Sequence, residues 1–107
     1  MTDTSTETRS VVVEREFPYP PERIWRALTQ PQLIAEWLMK NDFQPRIGHS
    51  FELRADWGSV SCKVLEIEPN RTLVYNWDAN GLESVVTWTL APSPTGTSLR
   101  MEQAGFP

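Results

Sequence analysis

The chain has 107 residues, a length that fits a single domain. Its 10 Lys+Arg against 14 Asp+Glu give a formal charge of −4, which disfavours nonspecific nucleic-acid binding, a process driven by Lys and Arg neutralising phosphates. One Cys and one His exclude an intrachain disulfide and a closed zinc site, and no stretch approaches the roughly 18 apolar residues of a membrane span.

Residues 1–10 are rich in Thr, Ser and acidic residues and lack the apolar core of a secretory signal. They read as a disordered tail on a cytoplasmic protein, with one domain over 11–107. Val11 to Phe17 is a β-branched run and predicts a strand, with Val11, Val13 and Phe17 on one face and Glu14 and Glu16 on the other. Pro18, Pro20 and Pro21 end it, and Pro21 with Glu22 suits the start of a helix. Ile24, Ala27 and Leu28 recur at helical spacing, with Trp25 widening the stripe, and the helix should end near Leu28. Thr29-Gln30-Pro31-Gln32 matches a capping box. The second helix then carries Leu33, Ile34, Trp37 and Leu38, and Asn41-Asp42 should begin a loop.

Beyond Gly48 the apolar period changes from 3.6 to 2. Phe51, Leu53 and Ala55 alternate with Ser50, Glu52 and Arg54. Asp56 to Ser59 reads as a turn, and Val60–Glu68 as a strand with a bulge where the apolar set shifts from Cys62 and Val64 to Leu65 and Ile67. Pro69-Asn70 turns into a strand with Leu73, Tyr75 and Trp77 on one face. Asn80-Gly81 is a hairpin signal, because both central residues of a type I′ turn need positive φ. Val86, Trp88 and Leu90 follow, and Pro94-Thr95-Gly96 leads to a last strand with Leu99 and Met101 inward.

The order is thus β-α-α-β-β-β-β-β: an α+β domain whose antiparallel meander presents one apolar, aromatic face. Two short helices of about 12–15 Å cover part of a six-stranded sheet about 25 Å wide. The expectation is a domain short of a closing element at its C-terminus. Cover in trans is the alternative, and a homodimer or self-association through the bare face would follow.

Pro21-Glu22-Arg23-Ile24-Trp25-Arg26-Ala27-Leu28-Thr29, followed by Pro31, resembles the opening helix of the SRPBCC superfamily, the START-like or birch-pollen-allergen-like proteins. Trp37, the run Val64 to Trp77, Trp88-Thr89-Leu90 and Gly96-Thr97 are similar more closely to bacterial proteins like the C-terminal domain of the activator of the heat shock protein 90 ATPase. The likeness runs from about Val11 to Phe106. It implies the helix-grip fold, a curved antiparallel sheet around a long C-terminal helix with an apolar cavity between them. The sequence stops before that helix. It also implies a chaperone as partner and a link to the stress response.

The site expected from the inward face is Trp37, Phe51, Leu53, Val64, Tyr75, Trp77, Val86, Trp88 and Met101, holding a small apolar or aromatic, lipid-like or polyketide-like ligand. Core packing is the alternative use of the same residues. His49 reads as an exposed turn residue. Cys62 reads as a small core or cavity residue with no adjacent base to lower its pKa. Arg54 and Arg100 should be exposed. No catalytic residue, cofactor or metal ligand is assigned. A binding domain without enzymatic activity leads, before a co-chaperone-like module and a cyclase- or hydrolase-type enzyme on the same fold.

Overall fold

The structure, a computed structural model, describes residues 9–79 and 82–106. β1 (Arg9–Phe17) leads into α1 (Pro21–Thr29) and α2 (Pro31–Trp37), and six strands follow. These are β2 (Lys40–Asn41), β3 (Ser50–Ala55), β4 (Gly58–Glu68), β5 (Thr72–Ala79), β6 (Leu82–Ser93) and β7 (Gly96–Phe106). They form one antiparallel sheet in the order β1-β7-β6-β5-β4-β3-β2. The first strand therefore closes against the last, Val13 facing Met101 and Phe17 facing Thr97. This is the α+β helix-grip architecture expected from the sequence, with a curved open sheet and two short helices.

Local chemistry sets the elements. Pro21 opens α1, Glu22 lies in its first turn and Arg26 in its last, each matching the helix dipole. Ile24 and Leu28, one turn apart, are buried. Gln30 ends α1 and starts α2 in an extended conformation, so the two helices meet at a sharp corner. The β4–β5 register shifts between Val64 and Glu66, which turns Leu65 outward at the expected bulge. Asn70 supplies the positive φ of the turn that follows.

Four expectations need correction. β1 begins at Arg9, because Arg9 and Ser10 pair with Phe106 and Ala104, so residues 9 and 10 belong to the sheet, and the rest of the predicted tail lies outside the described residues. The loop expected at Asn41-Asp42 contains β2, a seventh strand in which Lys40 and Asn41 pair with Arg54 and Leu53. The Asn41 side chain fixes this segment. Its Nδ2 donates to the Pro31 and Met39 carbonyls and its Oδ1 accepts from Phe43 N, which seats Phe43 in the core. The capping box does not form. Thr29 Oγ1 donates back to the Trp25 carbonyl, and Gln30 caps α2 with no side-chain bond. Finally, α2 ends at Trp37, before Lys40. The Asn80-Gly81 turn lies outside the described residues.

Coverage of the concave face is uneven. α1 packs on β6 and β7, and α2 on β2. Under them Phe51, Leu53, Val60, Val64, Leu73 and Val86 are buried in one core with Ile24, Leu28, Ile34 and Phe43. Towards β1 the same face is bare, and Val11 is 49% exposed.

The connection from β1 to α1 is clamped by the last hairpin. Thr97 is fully buried and its Oγ1 donates to the Tyr19 carbonyl at 2.6 Å. Beside it Gly96 adopts φ 151°, and a Cβ there would lie 2.6 Å from Tyr19 N and against the Phe17 carbonyl. Both obstacles are backbone and cannot swing aside. Gly96→Ala is therefore expected to destabilise the fold by about 1–3 kcal/mol, read as a lower denaturation midpoint with an unchanged slope.

Candidate functional site

An apolar groove of about 380 Å³ opens between α1 and the bare part of the sheet. Its walls are Ile24, Ala27 and Leu28 of α1, Trp37 at the end of α2, Phe17 of β1, Trp88 of β6 and Leu99 of β7. Each lining residue is apolar. The volume falls within the range of about 300–1,000 Å³ typical of small-molecule sites.

The two indoles at the groove have their polar atoms occupied elsewhere. Trp37 is 44% exposed, yet its Nε1 donates to the Ala27 carbonyl at 2.8 Å. Trp88 Nε1 donates to Tyr75 Oη at 3.0 Å. The rings meet edge to face, with centroids 5.6 Å apart. Both are thus fixed by a hydrogen bond and by each other, and offer the groove carbon surface.

From Trp88 the aromatic contacts continue inward. Tyr75 meets Phe51 edge to face at 5.3 Å, and Phe51 meets Phe43 likewise at 4.9 Å. The nine residues expected at the site therefore divide. Phe51, Leu53, Val64, Tyr75 and Val86 are buried in the packed core. Trp77 and Met101 are partly buried against it. Only Trp37 and Trp88 line the groove. Phe17, Ile24, Ala27, Leu28 and Leu99, which the sequence places on inward faces without marking them as site residues, complete it.

The remaining candidates lie elsewhere. His49 Nε2 bonds to the Asp42 carbonyl at 3.0 Å, and because a carbonyl only accepts, Nε2 carries the proton. Arg54 pairs with Glu52, and Arg100 with Glu14 and Glu102, on the solvated face. A wider depression of about 510 Å³ on the outer face is lined mainly by polar residues such as Ser50, Glu52, Ser61, Lys63, Asn76 and Asp78. Among the described residues no cluster of three or more His, Cys, Asp or Glu could hold a metal. No described helix is long and apolar enough to cross a membrane.

Burial pushes the Cys62 thiol up to about 12, so it is neutral at physiological pH. The Tyr75 hydroxyl is also raised above its ordinary value by burial, which outweighs the opposing effect of the Trp88 hydrogen bond. Neither group is poised as a nucleophile or base near pH 7.

Comparison with known proteins places this geometry. A family model described as Activator of Hsp90 ATPase homolog 1-like protein matches residues 18–107. The chain belongs to that family. Among solved structures it resembles protein MLL2253 from Mesorhizobium loti at 59% identity and TM-score 0.90, covering 92% of this chain and 78% of that one. CalU16 from Micromonospora echinospora follows the same fold at 29% identity and TM-score 0.83, over 94% of this chain and 61% of its own. DynU16, from the dynemicin biosynthetic locus, has 26% identity and TM-score 0.83 over 89% of this chain and 36% of its own. The chain thus spans less than two thirds of CalU16 and DynU16. No curated protein matches the sequence.

Two outcomes follow. Tyr75→Phe strands the Trp88 indole N–H without its acceptor and should cost about 1–3 kcal/mol in chemical denaturation. The Cys62 thiol should react with a thiol reagent at pH 7 only as fast as the protein opens. Its raised folded pKa also fixes the sign of a pH effect. Its contribution is full below the unfolded value of 9.0 and is lost as pH rises from there through about 12. The denaturation midpoint of wild type should therefore fall over that window more steeply than that of Cys62→Ala.

Proposed function

We propose that the chain binds a small apolar or aromatic molecule in the groove between α1, α2 and the concave sheet. The observation that carries this reading is the chemistry of the walls. Seven apolar residues enclose the space, and the indole N–H groups of Trp37 and Trp88 are already bonded within the protein. A ligand meets carbon at each of these walls and displaces water from them. At about 25 cal/mol per Å² of apolar surface, burying 200 Å² of ligand would contribute about 5 kcal/mol before the cost of immobilising it. CalU16, and DynU16 from a biosynthetic locus, share the fold.

The family description supports a second reading, a module that acts on the Hsp90 ATPase. Exposed Trp37 and Val11 give that reading an apolar contact surface. The two separate by experiment. An unchanged chaperone ATPase rate at saturating protein removes the second and leaves the first.

The groove reading predicts saturable quenching or shift of tryptophan fluorescence on titration with 1-decanol, a neutral apolar probe. Ala27→Phe puts a ring into the groove from α1. It should weaken that binding by about tenfold or more, equivalent to about 1.4 kcal/mol. Equal binding by wild type and Ala27→Phe would place the ligand elsewhere.

A further inference from the structure

The walls of the groove also constrain the ligand's polar end. A polar group carried into the groove would lose its water and find no partner there, because the lining is apolar and both indole N–H groups are committed. Any polar group must therefore sit at the mouth.

Two arginines neighbour residues of the groove walls. Arg15 alternates with Val13 and Phe17 on β1, so it shares their face of the sheet. It lies directly opposite Leu99, one of the groove residues. Side chains so paired are neighbours, with Cβ atoms about 4.5–5.5 Å apart. Its guanidinium Nη1 donates to the Glu14 backbone carbonyl at 2.9 Å. Arg23 precedes Ala27 by one turn on the same side of α1. It lies over the Tyr19 ring at 4.4 Å, a contact that leaves its in-plane N–H donors available. Neither arginine forms an ion pair among the described residues. Glu14 and Glu16 alternate to the other face of β1, and Glu22 is turned by about 100° from Arg23 around α1.

We propose that the ligand is an amphipathic carboxylate whose apolar body fills the groove and whose head group is met at the mouth by Arg15 and Arg23. This rests on the groove-binding reading above and adds the charge to it. A planar guanidinium matches a carboxylate through paired hydrogen bonds. The head group stays at the water-exposed rim, so it keeps much of its hydration. The overall charge of −4 works against anions, so a preference for one reports the local pair of arginines.

The test compares decanoate with 1-decanol, of equal chain length, by tryptophan fluorescence at pH 7.5. Wild type should bind decanoate about fivefold or more tighter than decanol, the scale expected of exposed ion pairs acting together. Raising salt from about 0.05 to about 0.5 M should narrow that ratio. In the double variant Arg15→Gln, Arg23→Gln the ratio should fall to about one. Because the ratio is taken within each protein, a general loss of stability does not mimic the result, and the salt dependence needs no variant. Equal binding of the two probes by wild type, or a ratio that survives in the double variant, overturns the assignment of the head group and leaves the groove intact. Binding of neither probe overturns both.

Discussion

The hydrogen bond from Trp88 Nε1 to Tyr75 Oη joins the two halves of this structure. On one side lies the aromatic chain through Tyr75, Phe51 and Phe43, sealed beneath the helices. On the other lies a groove whose wall is the Trp88 ring itself. An indole N–H must be bonded when it leaves water, and the only way to bond this one without a polar group in the groove is to point it back into the core. Trp37 obeys the same constraint by bonding to the Ala27 carbonyl. The edge-to-face contact between the rings then follows from where the two N–H groups are held. The result is a surface that is apolar and rigid at once, which is the combination a preformed binding site needs.

Uneven cover decides where that surface is. The helices are too short to shield a seven-stranded sheet, and α1 and α2 spend their apolar faces on β6, β7 and β2. The β1 edge of the concave face is left bare, with Val11 and Leu99 at its border. The clamp of Gly96 and Thr97 on Tyr19 fixes the angle at which the chain leaves β1 for α1. That angle sets the width of the groove, because Phe17 on one wall and Ile24 on the other lie on either side of the same short connection.

Much of the fold was legible in the sequence because its signals are local. The alternation of Phe51 and Leu53, the apolar shift at the bulge, and the prolines after Phe17 each act within a few residues. β2 was not legible, since two residues carry no period, and its anchor is a single Asn41 side chain reaching Pro31, ten residues away. Phe43 went unmarked for the same reason. The site was legible only as an aromatic inward face. Which aromatics pack and which line a groove depends on where two helices land on the sheet, and that is a long-range outcome. Phe51 and Tyr75 look like Trp88 in the sequence and differ from it by packing in the buried aromatic chain that ends at Phe43. Arg15 carries no local signal, because its neighbour, Leu99, lies on a strand at the far end of the chain.

The most direct test uses the five tryptophans as reporters. Their indole N–H signals, resolved in a proton–nitrogen correlation spectrum, can be followed as 1-decanol is added. The account predicts saturable shifts at Trp88 and Trp37, which form the groove wall, and none at Trp57, which is 65% exposed in the β3–β4 turn. Shifts that appear at Trp57 as strongly as at Trp88, or no shift at either groove indole, would contradict it.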